Sequence, residues 1–286
     1  MSTLKHIHKI VFPAAGLGSR MLPATLALPK ELLPVVDKPI IQYGVEEAVA
    51  SGFTEAILIH SPGKTLIQEH FSLHPKLEEQ LERHGKSAWL SGLHDLVTSI
   101  KFSTATQKEP LGLGHAVLTS QELVGNDPFA VLLADDLIDA NPPALQQMLA
   151  VFTEMNGPVL LVERVPREAV ERYGVIDGEL IGDRLYRVNE LVEKPDPNDT
   201  PSDLAIIGRY LLTPDIYPAL RKTGHGSGGE IQLTDGLRCL LKQRPIYAVE
   251  LTGVRQDAGT KLGYLRAILH FAAKRPEFTD RLFSPQ

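Results

Sequence analysis

Short apolar, β-branched runs alternate with amphipathic stretches along the first half of the chain. Ile10-Val11-Phe12 leads into a glycine-bearing loop, and Ala56-Ile57-Leu58-Ile59 follows a helical pattern from Gln42 to Ser51. Ile100-Lys101-Phe102 and Val131-Leu132-Leu133 come next, separated by a helix expected to start near Gly114. Runs this apolar suit strands covered on both faces by helices. The β-then-α order predicts an α/β fold, doubly wound around a mostly parallel, Rossmann-like sheet. Between His70 and Leu96, Leu73, Leu77 and Leu81 recur at helical spacing among Glu78, Glu79, Glu82 and Arg83, which predicts a surface helical excursion. After Pro158 the pattern loosens. Val159–Glu163, Leu185–Val188 and Ala205–Tyr210 read as extended, Asp196-Pro197-Asn198-Asp199-Thr200-Pro201 as a turn-forming loop, and Leu262–Lys274 as a closing helix. No internal repeat or low-complexity linker divides the chain. The expectation is one domain over residues 1–286, whose second half, from about residue 141, is elaborated.

Composition narrows the classes. The chain has 286 residues, 43% of them hydrophobic, enough for a large core. The formal net charge is −6 and the cations are scattered, which argues against nucleic acid as a partner, since phosphate backbones require a concentrated basic face. Cys239 is the single cysteine, which excludes an internal disulfide and a cysteine-rich metal site. The longest apolar runs are too short to span a bilayer, and the start of the chain lacks a signal-peptide pattern. A cytoplasmic setting without a membrane partner is expected.

The loop Ala14-Ala15-Gly16-Leu17-Gly18-Ser19-Arg20 follows the first predicted strand. Glycines let backbone N–H groups approach an anion, so the loop is either a phosphate cradle or an ordinary tight turn. It lacks the third glycine of a dinucleotide fingerprint and the Gly-Lys-Ser/Thr of a P-loop. Arg20 and Lys30 add two cations, and prolines 23, 29 and 34 are expected to hold the segment extended. Such a pair can neutralise a triphosphate and its leaving pyrophosphate.

Ala14-Ala15-Gly16-Leu17-Gly18-Ser19-Arg20-Met21-Leu22-Pro23-Ala24-Thr25, followed by Pro29-Lys30-Glu31-Leu32-Leu33-Pro34-Val35-Val36-Asp37-Lys38-Pro39, resembles the bacterial UTP–glucose-1-phosphate uridylyltransferases. The resemblance runs from about Lys9 to Tyr264 and takes in several separate motifs in order. It implies a nucleotide-binding half of about 1–140 and a sugar-binding half of about 141–286. Ala15, Gly16, Gly18 and Glu31 would hold the nucleotide, with Gln107 and Gly112 at its base; a glutamine amide can both donate and accept, which suits uracil O4 and N3–H. Asp135, closing an apolar strand in Ala134-Asp135-Asp136, and Asp257, in Gln256-Asp257-Ala258-Gly259, would be ligands of Mg²⁺, an ion that needs only one or two carboxylates. Glu193 and Lys194 in Val192-Glu193-Lys194-Pro195 would bind glucose hydroxyls and the sugar phosphate. Gly174 and Ile206 would contact the sugar, and Glu230 would lie near it. His115 is expected to be structural.

The implied reaction joins UTP and glucose 1-phosphate to give UDP-glucose and pyrophosphate. Its catalytic residues would be Arg20, Lys30, Asp135 and Lys194, acting by positioning and charge. Homodimers or homotetramers are implied as well. Leu26 departs from the family pattern, which has a lysine there; Asp203, Gln256 and Ala258 depart in smaller ways. Three alternatives remain at this point: a relative using dTTP or another sugar 1-phosphate, a non-catalytic regulatory paralogue, and a nicotinamide dehydrogenase. The retained Arg20, Lys30, Asp135 and Asp257 disfavour the paralogue, and the missing third glycine disfavours the dehydrogenase.

Overall fold

The computed structural model describes residues 6–224, 226 and 229–278. β1 (Lys9–Ala14) leads through the glycine loop to a small ribbon, β2 (Pro34–Val35) and β3 (Lys38–Pro39), and then to α1 (Ile40–Ala50). β4 (Glu55–His60), α2 (Leu66–His70), α3 (Pro75–Arg83), α4 (Ala88–Ser99) and β5 (Lys101–Thr106) follow. Next come α5 (Leu113–Thr119), α6 (Gln121–Val124), β6 (Phe129–Leu132), β7 (Asp136–Asp139) and α7 (Ala144–Met155). The second half holds β8 (Val159–Arg164), β9 (Gly174–Gly182), β10 (Leu185–Glu193), β11 (Leu204–Leu212), α8 (Ile216–Lys222), α9 (Leu233–Leu241), β12 (Tyr247–Glu250), β13 (Val254–Asp257) and α10 (Lys261–Ala273).

Nine strands form one sheet in the order β5-β4-β1-β6-β11-β8-β12-β10-β9. β5, β4, β1 and β6 are parallel, as their uniformly apolar runs suggest. Beyond β6 the sheet is mixed: β11 is antiparallel to β6 and β8, β12 is parallel to β8, and β10 is antiparallel to both β12 and β9. The mostly parallel sheet expected from the sequence therefore describes the first four strands only. A parallel pair needs a long crossover, whereas β9 and β10 turn back on each other through Asp183-Arg184, with Arg184 in the left-handed region at φ 53°.

Alternate side chains of each central strand feed two cores. Ile10, Phe12, Leu58, Leu132 and Leu211 face α1, α7 and α10. Val11, Ile57, Val131, Val162 and Tyr210 face α5, α8 and α9. Period-2 alternation with helices on both sides is what buries β11 along its whole length. The predicted surface excursion is present as α3 and α4, and α3 has no buried residue. The segment 20–39 is not extended. It runs through 3-10 turns at Ser19–Met21 and Lys30–Leu32 with further turns between them, because the fixed φ of proline suits tight turns as well as extended chain. Among the described residues no helix is long and apolar enough to cross a membrane.

Candidate active site

Strand order reverses beside β1, and the loops after β1, β5 and β6 open there into a cleft of two adjoining chambers. The first, about 450 Å³, is lined by Ala15, Gly16, Gly18, Glu31, Gln107 and Gly112. The second, about 420 Å³, is lined by Arg20, Gly174, Glu193, Lys194, Ile206 and Asp257. Lys30, Asp135 and Glu230 line both. Every residue expected from the sequence to bind substrate, metal or charge thus lies on one cleft, with Arg20, the last residue of the glycine loop, lining the second chamber.

In the first chamber, Gly18 takes the left-handed conformation at φ 64°, and Thr25 Oγ1 donates to its carbonyl at 2.8 Å. Lys64 Nζ, from the loop after β4, donates to the Gly16 carbonyl at 3.1 Å. Leu26 is 82% exposed and brings no charge to the loop. Glu31 is buried, and neither carboxylate oxygen has a hydrogen-bond partner. Burial lifts its carboxyl from an ordinary 4.5 to about 7, against the pull of Lys30. A carboxyl that keeps its proton longer when folded contributes stability at low pH and loses it as pH rises from about 4.5 to about 7. Glu31→Gln, which keeps the shape without the charge, is expected to raise the melting temperature of the free protein at pH 8 and to leave it nearly unchanged at pH 4.5. An equal change at both pH values would show that the charge is not what matters.

At the junction, Lys30 Nζ donates to Asp135 Oδ2 at 2.6 Å and lies 3.9 Å from Glu31 Oε1. Burial works to lower the lysine pKa, but the two carboxylates outweigh it and the ammonium is held well above its ordinary range. Burial likewise opposes ionisation of Asp135, and Lys30 overcomes it, so the Asp135 carboxyl sits below its usual value.

Asp257 reaches this junction through a two-stranded ribbon, β7 with β13, in which Asp257 stands opposite Asp136 and Ala258 N donates to the Asp135 carbonyl at 2.8 Å. Asp135 Oδ2 and Asp257 Oδ1 then converge on Gly259. A Cβ there would stand 3.0 and 3.1 Å from them, so only the missing side chain leaves the space open. Two carboxylate oxygens at an open point, with room for water and phosphate, suit a hard divalent cation. Among the described residues no group of three His, Cys, Asp or Glu side chains could hold a metal.

The sequence assigned no role to the residues around this pair. Arg172 pairs with Asp257 Oδ2, and Tyr173 OH lies 3.4 Å from the same oxygen. Asp136 turns away from Asp135 to meet Arg255 Nε at 2.5 Å, and Arg255 also reaches Glu163 and Tyr173, each at 3.4 Å. Burial raises the Asp136 carboxyl, with Asp135 and Asp257 adding to it and Arg255 opposing. Arg255 and Asp257 stand at i, i+2 and so share a face of β13, a relation visible only once the strand is known; Arg172 gave no signal of its own.

The second chamber is built where β9, β10 and β11 meet. Glu193 accepts from Thr234 Oγ1 at 2.7 Å and pairs with Lys194 Nζ at 3.2 Å. Lys194 holds φ at 48°, an uncommon conformation for a side-chain-bearing residue that ends the strand and turns the chain. Gly174 faces this group: a Cβ would come within 2.8 Å of Thr234 Oγ1 and 3.3 Å of Glu193 Oε2. Asp203 lies outside, paired with Arg164 at 2.6 Å on the surface.

A glycine loop after the first strand, a lysine–aspartate junction, a second aspartate and a polar chamber beyond define a nucleotidyl-transferring enzyme of α/β fold. The chain belongs to the nucleotidyl transferase family, whose model matches residues 9–274. Within it, the chain is 43% identical over 279 residues to a UTP–glucose-1-phosphate uridylyltransferase of Bacillus subtilis (strain 168), covering 98% of this chain and 96% of that protein. A UDP-glucose pyrophosphorylase solved in complex with UDP-glucose superimposes with a TM-score of 0.87 at 41% identity, covering 94% of this chain and 100% of that one. A UTP-bound enzyme of the same kind from Acinetobacter baumannii gives a TM-score of 0.88 at 37% identity, with 96% of each chain covered.

Proposed function

We propose that this protein is a UTP–glucose-1-phosphate uridylyltransferase, forming UDP-glucose and pyrophosphate from UTP and α-D-glucose 1-phosphate. The observation that carries the reading is the meeting of two chambers at Lys30 and Asp135, one lined by the glycine loop and the other by Glu193 and Lys194. Relatives with this name match nearly the whole chain.

In this reading Ala15, Gly16, Gly18, Glu31, Gln107 and Gly112 hold UTP, and Gly174, Glu193, Ile206 and Glu230 hold the sugar. The two groups correspond to a nucleotide half and a sugar half of one domain. Lys194 binds the sugar phosphate and offsets repulsion between two anionic substrates. The attacking phosphate oxygen is already an anion, so no side chain need remove a proton. It bonds to the α-phosphorus of UTP as the bond to the departing pyrophosphate breaks, and Arg20 and Lys30 stabilise the charge that collects on that pyrophosphate. Asp135 and Asp257 would hold a divalent cation, Mg²⁺, which when bound would supply positive charge to the phosphates. Two phosphorylated substrates and a single free cysteine fit a cytoplasmic setting. Association as a homodimer or homotetramer is supported by the exposed Leu262, Leu265 and Leu269 on α10, and light scattering of the purified chain tests it.

The deciding experiment measures pyrophosphate release with a panel of nucleoside triphosphates and sugar 1-phosphates, with and without Mg²⁺. Release is expected with UTP and glucose 1-phosphate in the presence of Mg²⁺; no release with any pair would refute the reading. Gly259→Ala tests the cation cradle separately. A methyl between the two aspartates is expected to raise the Mg²⁺ concentration for half-maximal rate by about tenfold or more, with the melting temperature preserved. An unchanged Mg²⁺ requirement would remove Gly259 from the site.

A further inference from the structure

We infer that His115 is a positioning residue that sharpens pyrimidine specificity, by acting with the Gly112 carbonyl to fix which way round the Gln107 amide stands. The inference rests on Gln107 as a contact to the base.

Gln107 follows the end of β5 and is buried, its backbone N–H bonded to the His60 carbonyl at 2.9 Å. Its side-chain nitrogen lies 3.1 Å from the Gly112 carbonyl and 2.9 Å from His115 Nδ1. A carbonyl oxygen can only accept, so the NH₂ end of the amide must face Gly112. The second amide hydrogen then goes to His115 Nδ1, which has to be the unprotonated nitrogen of a neutral imidazole with its hydrogen on Nε2. Both donors of Gln107 are spent inside the protein. Its Oε1 is the only atom of the amide left for a ligand, and it can only accept. On this inference Gln107 accepts from the base without donating to it.

His115 does this from outside the cleft. Gln107 and Gly112 line the first chamber and His115 does not. Its helix, α5, is fixed at the start by Gly114 N donating to the Ile231 carbonyl at 2.8 Å. The consequence is chemical. Uracil presents an N3–H, which a fixed acceptor receives. Cytosine presents a bare N3 lone pair, which the same acceptor repels. A rotated amide would offer Nε2 to cytosine instead, and the Gly112 carbonyl and the imidazole acceptor together oppose that rotation. A buried donor left without a partner is the device that makes such discrimination steep.

The test compares kcat/KM for UTP and CTP in His115→Leu and His115→Asn, with glucose 1-phosphate held constant. Leucine has no acceptor. It is expected to lower the UTP:CTP ratio by about tenfold, roughly one hydrogen bond's worth of selectivity, through the nucleotide KM rather than the glucose 1-phosphate KM. Asparagine can place an accepting Oδ1 near the Nδ1 position and is expected to restore most of the ratio. A ratio in His115→Leu equal to wild type, an equal loss with both nucleotides, or an asparagine variant as poor as leucine would each overturn the inference. The unmutated protein gives a second reading that needs no variant to fold: its ¹⁵N imidazole shifts are expected to show the Nε2–H tautomer for His115, and Nδ1–H would overturn the inference. Wild-type protein with no UTP turnover would instead refute the proposed function, so the two failures are distinguishable.

Discussion

Replacing Lys30 with alanine is expected to lower turnover by about two orders of magnitude or more, and Asp135→Ala to do the same, with the fold preserved. Lys30 is one of the residues that line both chambers, 2.6 Å from Asp135 and 3.9 Å from the buried Glu31. In the proposed reaction its ammonium would stand where negative charge accumulates as the pyrophosphate leaves. One such preorganised charge is typically worth about 3 kcal/mol of barrier, hence the factor expected. Lys30→Arg should recover little, because a planar guanidinium does not fit the space of a compact ammonium bonded to a single carboxylate oxygen. Asp135→Ala removes one of the two oxygens that converge on Gly259, so its loss should not be recovered by raising the concentration of either substrate. Circular dichroism and a melting curve for each variant separate lost chemistry from lost fold. Near-normal turnover in either would refute the assignment of these roles.

The strands and helices that carry strong apolar periodicity were legible: β1, β4, β6, β8 and β11 on one side, α1 and α10 on the other. So was part of the cleft lining, because the motifs keep their own local order, although Arg172 and Arg255 were not. What escaped is non-local or polar. β7 and β13 are four residues each, contain Asp136, Asp139, Arg255 and Asp257, and pair across more than a hundred residues of chain. Nothing in the period of either predicts a strand, yet this ribbon is what carries Asp257 to Asp135. The mixed half of the sheet was missed for a related reason: apolar runs report burial on two faces, not strand direction. The prolines at 23, 29 and 34 were read as stiffening an extended chain, whereas their fixed φ also suits the turns that bring Lys30 back to the cleft. At Gln107 the sequence shows an amide with a donor end and an acceptor end, whereas the contacts of its nitrogen, Gly112 O and His115 Nδ1, are set by the fold.

Arg209→Ala is expected to destabilise the protein by about 3–5 kcal/mol, the largest effect on stability foreseen for a single substitution here. The Arg209 side chain is 1% exposed and its partner Glu47 8%. Nη2 donates to Glu47 Oε2 at 2.7 Å and to the Asp136 carbonyl at 2.9 Å; Nη1 donates to the Leu133 and Gly208 carbonyls, both at 3.2 Å. One guanidinium thus joins β11, α1 and both ends of the segment that presents Asp135. Glu47 in turn accepts from Leu145 N at 3.1 Å, near the start of α7. Alanine would leave a buried carboxylate without its cation and three carbonyls short of a donor. If the cost lies mainly in the orphaned charge, Arg209→Met combined with Glu47→Leu should regain much of the stability, because paired apolar replacements of a buried ion pair are often near neutral. Urea denaturation of the two single variants and the double variant measures this directly. Stability returning in the double variant without turnover would show that Arg209 holds the Asp135 segment in place as well as the core. A single alanine variant within about 1 kcal/mol of wild type would mean that water reaches Glu47 and that the burial argument fails.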